Sequence, residues 1–382
     1  MVKPISIALI RSRYAQDGGA ERFVARALDA LKSRHLRLTL ITRQWRGGEG
    51  FEVITCNPFY LGRVWRDRSF ARAACRIVDG GSFDLVQSHE RIACCDIYRA
   101  GDGVHREWLK QRARAQGRLA RLATGLNPYH YYVQAAEKRL FESPRLKAVI
   151  CNSRMVREEI RRYFNVPEHK LHVIYSGVDT QAYHPDLKRQ RADIRARHGI
   201  PADAMLFLFV GSGFERKGMA ALLQAMAALP ANTYLLVLGR DRKIGRFQAR
   251  AASLGLEQRV FFLGAKADVP PYYGAADALV LPTLYDPFPN VALEAMASGL
   301  PVITSLKSGA AELIVNGSNG YVCDALDVPA LTTQLRAVTP ASAQTMGTSA
   351  RLLAKSFTLD NMSRDMLELY SSLLEKSDDS SQ

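Results

Sequence analysis

Tyr285-Asp286-Pro287-Phe288-Pro289-Asn290-Val291-Ala292-Leu293-Glu294-Ala295-Met296-Ala297-Ser298-Gly299-Leu300-Pro301 is the segment on which the fold turns. It follows an apolar strand-like run, Ala278 to Leu281, turns through Pro287 and Pro289, and enters a helix that Gly299 ends. The same step recurs along the chain. Strands are expected at Ile5 to Ile10, Leu38 to Thr42, Leu85 to Ser88, Ala148 to Cys151 and His172 to Tyr175. A second series is expected at Met205 to Val210, Tyr234 to Leu238, Val260 to Leu263, Ala278 to Leu281 and Val302 to Thr304. Short apolar runs alternating with longer helical stretches are the pattern of parallel α/β layers.

The chain has 382 residues, a natural length for two such domains. Between the two strand series, Ser176 to Pro201 is polar and carries Gly177, Pro185 and Gly199. The expected organisation is a first domain over 1–180, a linker over 181–200 and a second domain over 201–357. A helix over 358–375, apolar at Met362, Met366, Leu369 and Leu373, is expected to cross back to the first domain.

Composition excludes several classes. Hydrophobic residues make up 47% and charged residues 23%, so the chain can bury a core. The apolar run at the start, Ile5 to Ile10, is short for a signal peptide, and no run approaches the roughly 20 residues that cross a bilayer, so a soluble or peripheral protein is expected. The six cysteines, at 56, 75, 94, 95, 151 and 323, form no Cys-x-x-Cys pair and have no zinc-like histidine spacing. They are expected to be reduced, each a small buried apolar side chain. The net charge of +15 is uneven: residues 1–180 hold 32 Lys plus Arg against 18 Asp plus Glu, and the remainder 20 against 19. A basic first half suits a polyanion, whether nucleic acid, anionic lipid or a phosphorylated acceptor; a solubilising surface is the plainer alternative.

Ligands of open parallel sheets bind beyond the carboxyl ends of the strands. After the first strand, Asp17-Gly18-Gly19-Ala20-Glu21-Arg22 opens a helix, and its glycines allow backbone N–H groups to approach an anion or serve simply to end the strand. After the sixth comes Gly211-Ser212-Gly213-Phe214-Glu215-Arg216-Lys217-Gly218. Arg216 and Lys217 stand there at the positive end of a helix dipole, a placement that a bound diphosphate would favour. Glu294 is the single charge among Val291 to Met296, and a buried carboxylate needs hydrogen-bond donors such as sugar hydroxyls or a basic group. Asp286 precedes it by eight residues in the loop. Two hydroxyl-binding carboxylates flanking an anion site describe a nucleotide-sugar pocket; a capping Asp with a structural Glu is the alternative.

Asp286 to Glu294 resembles the Glu-x7-Glu signature of retaining glycosyltransferases of family 4, whose fold is GT-B, two Rossmann-like domains with a cleft between them. Supporting matches are Gly18-Gly19-Ala20-Glu21-Arg22, Asn152-Ser153, Ile174 to Asp179, Lys217-Gly218 and Gly299-Leu300-Pro301-Val302-Ile303. Within that family the chain is similar to lipopolysaccharide core glucosyltransferases that act on heptose. That likeness rests on Gly211-Ser212 through Gly218, Asp96-Ile97-Tyr98 with Asp102, and Phe261-Phe262-Leu263-Gly264.

The resemblance implies a cytoplasmic enzyme, peripheral on the inner face of the inner membrane. It would take glucose from UDP-glucose to a glycolipid acceptor and need neither cofactor nor metal. It implies that Glu294 holds the donor ribose and that Arg216 and Lys217 bind the diphosphate. Backbone at Phe288, Pro289, Asn290 and Val291 would contact sugar and phosphate, with Gly18 and Gly19 approaching from the other domain. Asp286 would take the place of the first glutamate. His89 would lie near the reacting sugar, with Arg13 and Asp102 on the acceptor side, although a strand-end His or a turn Asp is as readily structural. Asp286 is one methylene shorter than the usual Glu, Pro289 replaces a common glycine, and Ser212 stands where relatives have arginine, so UDP-N-acetylhexosamines and GDP-mannose stay open as donors.

With no carboxylate nucleophile identifiable, front-face displacement is the expected route to retention. A nucleic-acid-binding protein would also use the basic half, but it would give Glu294 no purpose and calls for a reading helix or stacking aromatics. A nicotinamide oxidoreductase would need a three-glycine loop that neither domain has.

Overall fold

The computed structural model describes residues 5–12, 36–44 and 52–379. It divides into two compact units: unit 1 runs to Ser176 and resumes from Leu359, and unit 2 is Gly177–Thr358.

In unit 1, β1 (Ile5–Ile10), β2 (Leu36–Thr42), β3 (Glu52–Thr55), β4 (Leu85–Ser88), β5 (Ile97–Arg99), β6 (Ala148–Cys151) and β7 (Leu171–Val173) form a parallel sheet in the order β3-β2-β1-β4-β5-β6-β7. Helices α1 (Gly62–Gly80), α2 (His105–Arg114), α3 (Arg118–Gly125), α4 (Pro128–Phe141) and α5 (Arg154–Phe164) lie between its strands in the chain.

Alternate strand residues point to opposite faces, so one strand feeds two cores. Ile7 and Leu9 of β1 join Leu40, Leu85, Ile97 and Ile150 on one face. Ala8 and Ile10 join Ile41, Val86 and Val149 on the other, under Phe70, Ala74 and Val78 of α1. The first face is covered by the final helix, seen below as α13. Its apolar stripe, Met362, Met366, Leu369 and Leu373, recurs every three or four residues and is buried there.

In unit 2, β8 (Met205–Val210), β9 (Thr233–Leu238), β10 (Val260–Gly264), β11 (Ala278–Leu281), β12 (Val302–Ser305) and β13 (Gly320–Cys323) form a parallel sheet in the order β10-β9-β8-β11-β12-β13. Its inner strands β8, β9, β11 and β12 are buried on both faces, and runs such as Leu206 to Phe209 accordingly read as unbroken apolar stretches. Around it stand α6 (Arg191–Arg197), α7 (Met219–Ala227), α8 (Ile244–Ser253), α9 (Pro270–Ala275), α10 (Asn290–Ala297), α11 (Val328–Ala337) and α12 (Pro340–Ala354), after which α13 (Leu359–Asp379) returns the chain to unit 1.

Residues 181–200 are folded onto unit 2 rather than extended. Arg195 on α6 is buried and donates to the carbonyls of Ala275, Pro201, Ala202 and Ala204, and to Asp277 at 2.9 Å. Asp277 also accepts from Arg191 at 2.6 Å and from the Leu206 N–H at 2.8 Å. With these donors the buried carboxylate is satisfied, and it pins the segment to unit 2.

The expectation of six independent, reduced cysteines fails at one pair. Cys75 on α1 and Cys94, beyond β4, are joined by a disulfide, with their Cα atoms 5.7 Å apart. Their 19-residue separation is closed by helix packing, which spacing alone does not reveal. Cys95, Cys151 and Cys323 are free and buried, and Cys56 is free and half-buried. Among the described residues no helix is long and apolar enough to cross a membrane.

Candidate active site

In each sheet the strand order reverses at one point, between β8 and β11 in unit 2 and between β1 and β4 in unit 1. At such points two adjacent strands send their outgoing loops to opposite sides and leave a crevice for a ligand.

Beyond β8 the chain runs through Gly211 to Gly218 into α7, and beyond β11 it runs through Pro282 to Pro289 into α10. The two loops are stitched together. The Arg216 carbonyl accepts from the Leu284 N–H at 2.8 Å and from the Thr283 hydroxyl at 3.1 Å. Gly218, at φ +78°, sits so close to β11's loop that a Cβ would lie 1.9 Å from the Pro282 carbonyl oxygen.

Lys217, almost fully buried, ion-pairs with Asp286, also buried. Arg216 Nη1 reaches the same carboxylate oxygen at 3.2 Å and the Tyr285 carbonyl at 3.0 Å. Asp286 is fixed from behind: its N–H donates to Lys307 at 2.9 Å and its carbonyl accepts from Gly309 at 2.8 Å. Burial by itself would raise the Asp286 carboxyl, but Lys217 and Arg216 together hold it below the usual range. Burial lowers the Lys217 ammonium, opposed by Asp286 and reinforced by Arg216.

The anion expected opposite Arg216 and Lys217 is thus partly built in. Two cations share one carboxylate, which leaves one positive charge at the crevice. Asp286 enters as the partner of the cations in addition to any contact with a ligand.

Glu294 lies on α10, where Ala292 to Ala297 are all buried. One donor to it is the hydroxyl of Tyr273 on α9, at 2.8 Å. Nothing in the periodicity of Pro270-Pro271-Tyr272-Tyr273 marks that tyrosine, so sequence reasoning misses it. Phe288 is buried, Pro289 is the N-cap of α10, and Asn290 and Val291 form its first, partly open turn.

In unit 1, His89 follows β4 directly and is buried. Gln87 Nε2 is 3.1 Å from His89 Nε2, and Arg11 Nη1 is 3.4 Å from Nδ1. Tyr370 of α13 orients that glutamine, donating to its Oε1 at 2.7 Å. Burial first, then Arg99 and Arg11, hold the imidazole pKa well below its ordinary value, so His89 is neutral at pH 7.

Asp102 is exposed and pairs with Arg91 at 3.3 Å, which also grips the buried Glu137 at 2.9 Å. A cavity of about 140 Å³ lies here, lined among others by Ser12, Asp67, Glu90, Asp102 and Tyr129. Glu90, Arg91 and Glu137 are functional candidates that sequence reasoning passes over. Ser-His-Glu-Arg at 88–91 was the available signal, since charges seldom follow an apolar strand without a partner. Arg13, Gly18 and Gly19 lie outside the described residues. Among the described residues, no group of three or more His, Cys, Asp or Glu converges as a metal site.

Two Rossmann-like units, the second carrying a cation pair at its switch point, define the GT-B class of glycosyltransferases. Residues 17–182 match Glycosyltransferase Family 4, and residues 190–343 match glycosyl transferases group 1. The chain belongs to glycosyltransferase family 4.

It is 28% identical over 324 residues to the lipopolysaccharide glucosyltransferase WaaG of Escherichia coli K12, covering 83% of this chain and 84% of WaaG. A crystal structure of WaaG, a glycosyltransferase involved in lipopolysaccharide biosynthesis, superposes with a TM-score of 0.82 at 24% identity, over 95% of this chain and 99% of the other. Anabaena Alr3699/HepE, crystallised with UDP and glucose, superposes at 0.74 and 20% identity, over 96% and 100%.

Proposed function

We propose that this glycosyltransferase is a retaining, metal-independent hexosyltransferase that carries glucose from UDP-glucose to a lipopolysaccharide core sugar such as heptose. The observation that carries the donor half is the Arg216–Lys217–Asp286 cluster at the end of β8 and β11, with the N-terminus of α10 opening from the same loop. A preorganised cation pair with a helix N-terminus is what a diphosphate leaving group needs, and it does the electrostatic work a metal would otherwise do.

Glu294, oriented by Tyr273, holds the ribose hydroxyls, and Asp286 sets the position of both cations. In the transfer step the acceptor hydroxyl oxygen bonds to the anomeric carbon as the bond from that carbon to the phosphate oxygen breaks. The departing phosphate oxygen takes the hydroxyl proton on the same face, which retains the configuration. Arg216 and Lys217 stabilise the charge that builds on the diphosphate. His89, neutral and strand-anchored, has both ring nitrogens engaged by Gln87 and Arg11, so it meets a sugar hydroxyl by giving up one of these partners. The glucose and lipopolysaccharide assignments follow the name of the E. coli relative, and UDP follows the ligands named for the Anabaena protein.

An acceptor on a lipid requires a membrane surface. Leu119, Leu122 and Leu126 are exposed on and just after α3, beside Arg118 and Arg121. Apolar residues flanked by arginines on a short helix suit the headgroup layer of an anionic membrane at the cytoplasmic face.

Thermal-shift screening against nucleotide sugars tests the donor, since a ligand at 100 times its Kd adds about 2.7 kcal/mol to the folded state. UDP-glucose should give the largest shift. A larger response to a UDP-N-acetylhexosamine or to GDP-mannose replaces the donor assignment. An inverted anomeric product by NMR refutes retention, and loss of transfer in chelator refutes metal independence.

A further inference from the structure

Beside the small cavity of unit 1 lies a groove of about 610 Å³ that the donor chemistry does not use. One wall is the face of α1 bearing Arg68, Arg72 and Arg76, spaced four apart and so aligned on one side of the helix. Tyr132 and Arg139 of α4 stand opposite, with Arg91 between.

The charge of this groove is poorly offset from within the protein. Asp79 lines it but pairs with Arg145 at 3.4 Å. Arg91 is taken up by Glu137 and Asp102. Among the described residues no carboxylate pairs with Arg68, Arg72, Arg76 or Arg139. Their fields converge: the Tyr132 hydroxyl, raised by burial and by Asp67, is pulled down by Arg139, Arg68 and Arg72 together.

Like charges four apart on one helix face oppose the helix. A multivalent anion held among them reverses that sign, and the planar guanidinium fork matches phosphoryl oxygens two at a time. The disulfide at Cys75 and Cys94 ties α1 to the segment beyond β4, joining two walls of the groove.

The groove and the small cavity share Ala71, Arg91, Ile92, Tyr132 and Ala136. A sugar whose hydroxyls meet Asp102 and Glu90 in the cavity therefore extends its substituents into the groove. We propose that this groove is a binding site for phosphoryl groups carried by the acceptor, an assignment that rests on the glycosyltransferase reading for its acceptor half.

Calorimetric titration of the full chain with inorganic pyrophosphate reads the site directly. Saturable binding is expected, weakened about tenfold by Arg72→Gln on one wall and again by Arg139→Gln on the other, as for loss of one charge-assisted contact. Both residues are exposed, and each variant should keep its Tm and its affinity for UDP-glucose. Unchanged pyrophosphate affinity in both variants overturns the proposal, as does binding lost only in Lys217→Ala, which would put pyrophosphate in unit 2.

Kinetics with intact and phosphatase-treated acceptor separate a tethered phosphate from a free one. Removal of phosphate should raise KM about tenfold or more for the wild type and by a distinctly smaller factor for Arg72→Gln. Equal KM values for the two acceptors in the wild type overturn the acceptor half. Should UDP-glucose fail to bind the wild type while pyrophosphate titrates the arginines, the donor reading falls and the groove stands.

Discussion

Asp286 neutralises two cations at once, and its removal strands them both. Taking one partner from a buried ion pair costs about 3–5 kcal/mol, because the survivor keeps its desolvation penalty. Asp286→Asn should therefore destabilise the fold by that order in urea unfolding, more than Lys217→Met, after which Arg216 still faces the carboxylate. In the double variant the two costs should fall short of their sum by at least about 1 kcal/mol, the coupling of groups in contact. Strict additivity would mean that the pair does not interact. Lys217→Met should also lower kcat by about a hundredfold or more, the usual effect of deleting one preorganised donor.

At this scale the sequence is partly legible. Glu294 and Asp286 stand out as lone charges in an apolar context. Tyr273 does not, because a hydroxyl aimed at a carboxylate from another helix leaves no trace in spacing. The basic excess of the first half is countable, but its concentration on one face of α1 depends on helix phase and on what α4 sets opposite.

At the scale of elements, the link between the loop after β8 and the loop after β11 rests on Gly218. Ala there would need both a left-handed backbone and the space occupied by the Pro282 carbonyl. Gly213 has the same φ of +78° with open space around its Cβ position. Gly213→Ala should thus cost about 1–2 kcal/mol, the left-handed backbone alone, whereas Gly218→Ala should displace Lys217 and lose UDP-glucose binding along with several degrees of Tm. Equal behaviour of the two variants would show that the close approach does not govern the site.

Long, doubly buried strands such as β8 and β9 are plain in the sequence because burial on both faces demands an apolar run. β3, β5 and β13 are not, being short runs that include Glu52, Arg99 and Gly320 in place of an unbroken apolar stretch. At the edge positions of β3 and β13, a strand pairs on one side only and tolerates Glu52 or Tyr321. The parallel α/β class and the site loops survive these omissions, since both are set by the central strands.

Across the whole molecule, α13 follows unit 2 in the chain yet completes the core of unit 1, so unit 1 is built from two separate stretches of sequence while unit 2 is continuous. Unit 1 also carries buried neutral histidines. His105, 3.0 Å from His130, is pushed down to about 3, mainly by burial and then by Arg91. The unfolded chain binds this proton below its ordinary pKa of about 6.5 and the folded chain does not, so stability rises with pH across that window and is lost as pH falls. Between about pH 7.5 and 5.5 the loss from one such group is about 1.4 kcal/mol. Chemical denaturation at both pH values should show His105→Gln with a correspondingly shallower slope, and an unchanged slope would place the proton elsewhere.

The Cys75–Cys94 bond gives the chain two covalent forms. Cross-linking a loop of this length lowers the entropy of the unfolded state by an amount worth about 3 kcal/mol. Material handled with a thiol reductant should show an earlier melting transition assignable to unit 1, with that of unit 2 unmoved. The history of a preparation, and the redox poise of the compartment in which the enzyme works, thereby become variables of acceptor capture as tangible as salt or temperature.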